Sequence, residues 1–296
     1  MSANDDHPDD SSTDLMMSPQ ALAPSALEAL TRGEIDVQIA TARRFRRNLD
    51  ESVNYARRQA TSSKEMAEAT FYKLKRKDNR TGEIKVIEGP SIRLAEIMAN
   101  AWGNLRYGAR PISDDGKVVT VQGVCHDLER NVYLSVEVQR RITDRNGRRY
   151  SDDMVAMTVN AACAIARRNA VIGVIPRIHT ERVMREARTV AIGTAASLEQ
   201  RRGEVVEHVV KKLGVDLDRV LAALGRAAVA EITLDDLETL VGLKTAVADG
   251  DTTLDEAFPP VAPPPAEAKE SLAERVRGGK KEKPTPEAGR EPGAEG

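Results

Sequence analysis

In YLSVEVQRRIT, residues 133–143, Leu134, Val136, Val138 and Ile142 alternate with Ser135, Glu137, Gln139 and Arg141. A period of two places the two sets on opposite faces of a β-strand, one turned to a core and one to water. Asn146-Gly147 follows, a pair suited to a tight hairpin turn because both residues tolerate positive φ. Residues 150–157 read as the continuation of the sheet and 118–125 as an earlier strand. The segment 105–157 is therefore expected to hold three or four antiparallel strands.

Upstream, FYKLKR at 71–76 and EIKVIE at 83–88 flank a Lys-Asp-Asn-Arg-Thr-Gly turn, so 70–88 reads as a first hairpin. Gly89-Pro90-Ser91 then opens a helix, with Pro suited to the first turn and Ser91 as cap. Leu94, Ile97, Met98, Ala101 and Trp102 form its apolar stripe. Residues 35–69 read as helical, with Ser62 and Glu65 as a capping box for a short last helix. Downstream, the Ala-rich 160–172 and then 181–200 read as helices. Residues 204–258 read as a separate small helical module with helices over 204–213, from Asp216, over 233–240 and over 243–248. The expected fold class is α+β: an antiparallel sheet and hairpins packed with helices, plus that module.

Charge divides the chain. Residues 1–30 carry six acids and no Lys or Arg, residues 31–190 carry 30 Lys and Arg against 20 acids, and residues 191–296 carry 14 against 20. The net charge of −2 thus conceals a basic middle of +10 between acidic flanks. That is the electrostatic footprint of a polyanion binder. Eight of the nine aromatic residues lie in the basic segment, where rings are able to stack on bases. The expected organisation is a disordered acidic segment at 1–30, a basic core at 31–195, the helical module at 204–258, and a disordered Pro/Lys/Glu-rich tail at 259–296.

Several functions are disfavoured. No apolar run approaches the ~20 residues that span a bilayer, and the acidic start is unlike a secretory signal. With only Cys125 and Cys163, a disulfide scaffold is not expected, and a cytoplasmic, reduced location fits. The four histidines are scattered, and no G-x-x-x-x-G-K-[ST] phosphate loop is present. Glu88, Asp127, Glu129 and Glu137 stand on or beside strands where a two-metal nuclease places carboxylates, but without a D…E-x-K arrangement. Glu88 is better read as a cap or as a partner of Arg93. Cys125-His126-Asp127 alternates across a strand, so the three cannot meet as a triad. Ser91 and Ser151 lack a His partner. Asp249-Gly250-Asp251 has too few ligands for a calcium loop. Trp102 is read as core ahead of a base platform.

What remains is a cationic surface. Lys73, Lys75, Arg76 and Lys85 cluster on the first hairpin, with Lys77 and Arg80 toward its tip. Arg140, Arg141, Arg148 and Arg149 cluster on the second, with Arg145 at its tip. Arg93 lies on the helix after Ser91, and Arg167 and Arg168 lie on the helix after the sheet. These eleven, tips aside, are the candidate DNA-binding residues.

The order of features over 70–178 is a basic strand into Ile87-Glu88-Gly89, a helix, Trp102-Gly103, antiparallel strands, Tyr150-Ser151-Asp152-Asp153, and an Ala-rich helix bearing Arg167-Arg168 and Gly173. It resembles the single-strand DNA annealing proteins of the Rad-fifty-two-like superfamily, which includes phage recombinases of the Erf and RecT groups. The segments EGPSIRLAE at 88–96 and AWGNLRYGAR at 101–110 are also similar to a phage protein family. The resemblance implies a β-β-β-α core and ATP-independent annealing of complementary strands. It implies assembly into rings or filaments, with the strand in a basic groove lined by Arg167, Arg168 and hairpin residues such as Lys73, Lys75 and Lys85. Val86 stands where eukaryotic members carry an aromatic residue. No cofactor is expected, with Mg2+ allowed for in DNA binding. Expected partners are single-stranded DNA, further copies of the chain, and a single-strand binding protein or exonuclease through 204–258. The alternatives are a metal-dependent nuclease and a non-enzymatic scaffold.

Overall fold

The computed structural model describes residues 24–77 and 80–261; the acidic segment 1–23, the tail 262–296 and the hairpin tip at 78–79 lie outside the described residues. The fold is α+β, with two small antiparallel sheets among helices.

The helical stretch before the first hairpin is three helices: α1 (Pro24–Arg44), α2 (Leu49–Ala60) and α3 (Lys64–Glu68). Helix α1 begins inside the segment expected to be disordered, with Pro24 at its first position, where a missing N–H costs nothing. Asn48 caps α2, accepting from the amides of Asp50 and Glu51. Ser63, not Ser62, caps α3, accepting from the Met66 amide.

Strands β1 (Phe71–Lys77) and β2 (Ile84–Pro90) form the first hairpin, with Leu74 opposite Ile87 and Lys73 opposite Glu88. Helix α4 (Ile92–Trp102) follows. The Ser91 hydroxyl accepts from the Leu94 amide at 3.2 Å and donates to the Ala69 carbonyl at 2.5 Å, which ties the cap to the end of α3.

The second sheet is a meander of β3 (Leu105–Asp114), β4 (Val118–Asp127) and β5 (Val132–Arg141), with β4 in the centre. Leu134, Val136 and Val138 share the inward face as their alternation requires, and Ile142 is fully buried.

Residues 150–157 are not a strand. Ser151 caps α5 (Asp152–Val174), accepting from the Met154 amide, and Asp152 and Asp153 meet the positive end of the helix dipole. This cap outweighs the weak alternation after Tyr150. Helix α5 lies across the second sheet through small residues, Ala162 and Ala166, against Val119 and Val121. At Gly123 a Cβ would collide with the Ala166 backbone, so the strand needs glycine for helix and sheet to meet this closely.

Helices α6 (Arg177–Ile192), α7 (Leu198–Leu213), α8 (Leu217–Leu224), α9 (Leu234–Ala248) and α10 (Leu254–Ala257) complete the chain. The two helices expected over 233–248 are the single α9, which runs through Gly242. A Cβ there would strike the Lys73 backbone, because α9 packs directly on β1. Residues 204–258 are consequently not a separate module. Leu237, Leu240, Val241 and Phe258 share one apolar cluster with Phe71, Leu94, Met98 and Val183.

Candidate nucleic-acid interface

The structure sorts the eleven candidate cations by what they touch. Arg168 is buried, with its side chain 8% exposed. Its Nη1 pairs with Asp251 at 2.7 Å, and its guanidinium lies 4.7 Å from the centre of the Tyr72 ring. It therefore ties α5, β1 and the segment after α9 together, and is no groove residue. Burial pushes the Tyr72 hydroxyl upward in pKa. Next to it, burial pushes the Asp249 carboxyl up to about 6, against a hydrogen bond from the Ile92 amide.

The C-terminal helices take up three more candidates. Arg140 sits among the inward positions of β5 and donates to the Gly250 carbonyl. Lys73 reaches Glu238 at 3.8 Å, and Lys75 donates to the Ala223 carbonyl at 3.0 Å. Of these three, Lys73 meets an acid, while Arg140 and Lys75 are held by backbone carbonyls of the C-terminal segment. Nearer the surface, Glu96 receives Arg93 and Arg167, both at 2.9 Å, and Asp114 receives Arg149 through two hydrogen bonds. The Arg149 guanidinium holds the Asp114 carboxyl down at about 2. Glu88 faces Arg188 at 3.5 Å and not Arg93.

Arg76, Arg141 and Arg148 are exposed, and among the described residues no acid pairs with their side chains. Arg141 precedes and Arg148 lies within the turn that the Thr143–Arg149 bridge closes, where Gly147 takes φ 79°. Lys85, on β2, is also exposed.

Of the carboxylates considered for a nuclease, Asp127 and Glu129 meet on one arginine and Glu88 faces another. Asp127 accepts from both Arg47 Nη atoms at 2.6 Å, and Glu129 accepts from Arg47 Nε at 3.2 Å. Among the described residues no group of three or more His, Cys, Asp or Glu is placed to hold a metal. Cys125 is buried, and burial with the nearby Asp127 charge pushes its thiol up to about 12, far from a reactive thiolate. Trp102 is 3% exposed and its Nε1 approaches Asp127 at 3.4 Å, so it is core.

Sequence reading missed the break at 45–48, because it ran one helical stretch through Arg43-Arg44-Phe45-Arg46-Arg47. The signal was present: Asn48 followed by Asp50 and Glu51 marks a new helix start. Arg43, Arg44 and Arg46 are exposed at this turn, while Arg47 is turned inward. No helix among the described residues is long and apolar enough to cross a membrane. No family model matches the chain, and neither the curated proteins nor the solved structures contain a match.

Proposed function

We propose that the protein binds single-stranded DNA and anneals complementary strands without ATP, as in phage-type homologous recombination. The observation that carries this reading is a set of exposed arginines without an acid partner among the described residues: Arg76 on the first hairpin, and Arg141 and Arg148 at the turn between β5 and α5 of a β-β-β-α unit. Annealing needs no bond chemistry. The protein must neutralise phosphates so that two strands approach, while leaving base edges free to test pairing. Exposed arginines without acid partners meet the first need, and backbone contacts give the sequence tolerance.

Self-assembly belongs to the same proposal, because repeated copies turn a weak site into an extended one. The outer edge of β2, which pairs with no strand among the described residues, and the exposed Ile84 (63%) and Val86 (53%) side chains on its face offer a surface for another copy. A single-strand binding protein or exonuclease would meet residues 204–258 only on their outer faces, since their inner faces are core.

The test is annealing of two labelled complementary oligonucleotides, without ATP, with and without Mg2+. Wild type is expected to anneal them and Arg76→Ala/Arg141→Ala/Arg148→Ala to be at least about tenfold slower. Strand cleavage would transfer the reading to a nuclease. A protein that neither binds nor anneals would leave the basic surface a solvated face.

A further inference from the structure

The turn between α1 and α2 displays an aromatic ring on a fixed base. Phe45 is 65% exposed, the most open of the large aromatic side chains among the described residues. Its backbone is held from every side. The Phe45 amide donates to the Thr41 carbonyl at 2.9 Å, and its carbonyl accepts from Asn104 Nδ2 at 2.9 Å. Two residues on, Arg47 locks into the end of the second sheet. Its amide and Nε both donate to Glu129, and its Nη atoms clamp Asp127. The Arg47 guanidinium also lies 4.9 Å from the centre of the buried Trp102 ring.

Around this base the free groups are cations. Arg43, Arg44 and Arg46 are exposed and have no acid partner among the described residues. They outnumber the neighbouring Asp50 and Glu51, which follow in the first turn of α2. The Arg44 guanidinium stands 5.5 Å from the Phe45 ring centre. An exposed phenylalanine forgoes the stabilisation that burial would give, and here the backbone that carries it is anchored on both sides of the ring.

We infer that Phe45 is a stacking platform for one unpaired base of a single-stranded nucleic acid, with Arg43, Arg44 and Arg46 meeting the adjacent phosphates. The inference deepens the nucleic-acid reading above and rests on it. The chemistry is specific to that ligand class. A base offers a flat π-face for a flat ring, and its backbone brings a negative charge on either side. A protein partner requires on the order of 800 Å2 of surface and a lipid surface requires a broad apolar helix face, whereas at this turn Phe45 and the partly exposed Leu49 stand among charges.

The test measures the affinity of the full chain for a fluorescent 30-mer oligonucleotide and for an abasic 30-mer of the same charge. Phe45→Ala is expected to weaken binding to the normal strand by roughly 5- to 100-fold and to leave binding to the abasic strand unchanged. Phe45→Trp should retain affinity for the normal strand. Equal weakening on both strands would mean a structural role and overturn the inference. So would unchanged binding of Phe45→Ala to the normal strand, and in that case the nucleic-acid reading itself would stand. If wild type binds neither strand, both readings fall. Vesicles carrying anionic lipid form a further arm: loss of vesicle binding by Phe45→Ala with oligonucleotide binding intact would reassign the ring to a membrane surface.

Discussion

Two arginine-rich stretches, 43–47 and 167–168, look alike in the sequence and serve opposite ends in the fold. On α5, Arg168 points into the body and pairs with Asp251, and Arg167 pairs with Glu96 at the surface. At the α1–α2 turn, only Arg47 is drawn inward, while Arg43, Arg44 and Arg46 stay in water. The difference lies in where acids arrive from. Asp251 stands 83 residues beyond Arg168, and Asp127 stands 80 residues beyond Arg47. A run of positive charge therefore becomes a positive surface only where the rest of the chain brings no carboxylate to it. The net charge of the basic middle overstates the field that a polyanion would meet.

The largest effects should come from the inward arginines. Arg47→Ala takes from buried Asp127 its charge partner and two of its five hydrogen bonds, and Arg168→Ala takes from Asp251 its ion pair and the hydrogen bond that goes with it. Each is expected to cost about 3–5 kcal/mol, read as a lower denaturant midpoint in urea. A loss below about 1 kcal/mol for either would erase the contrast between buried and displayed arginines.

Next in size are the glycines that let elements meet. Gly242→Ala forces α9 away from β1 and should cost about 1–3 kcal/mol, as should Gly123→Ala between β4 and α5. Thermal unfolding checks both. If Gly242→Ala were neutral, the docking of α9 on the first hairpin would be looser than described.

A smaller effect attaches to Asp249, beside the Arg168 pair. Its carboxyl is raised to about 6 in the fold against about 4 unfolded. The folded state thus holds its proton more tightly, so stability from this group is present at low pH and is lost as pH rises from about 4 to about 6. The full difference corresponds to about 3 kcal/mol, which solvent screening of this half-buried group reduces, so Asp249→Asn should gain about 1 kcal/mol at pH 8, with the gain vanishing near pH 4, when unfolding is followed at both values. The opposite sign would mean that the carboxylate is stabilised in place.

The parts of this fold that were legible in the sequence are local. The alternation of Leu134, Val136 and Val138 gives the inward face of β5, and Ser91 caps α4 as its position implies. The turn expected at Asn146-Gly147 is present only in part: Gly147 takes φ 79° but Asn146 does not take a positive φ, and a single Thr143–Arg149 bridge and a helix follow where a return strand was expected. What was not legible depends on distant partners. Nothing near Arg140 announces the Gly250 carbonyl 110 residues away, and nothing near Lys73 announces Glu238. The continuity of 204–258 with the core was hidden for the same reason, since amphipathic helices look alike whether they pack on each other or on a hairpin. The start of α5 is a different case. Ser151-Asp152-Asp153 is a plain helix-start signal that a presumed strand continuation obscured.

The smallest effects on stability and the most direct test of function coincide in the displayed arginines. The salt dependence of binding to a single-stranded oligonucleotide should be measured for wild type and two triple variants. One is Arg76→Ala/Arg141→Ala/Arg148→Ala, which removes unpaired cations. The other is Arg93→Ala/Arg149→Ala/Arg167→Ala, which removes cations already paired with Glu96 and Asp114. Each phosphate contact contributes about −0.7 to the slope of log K against log salt for single strands. The account predicts a steep slope for wild type, a reduction of about two in magnitude for the first variant, and little change for the second. Equal reductions in both, or no binding by wild type at low salt, would contradict it.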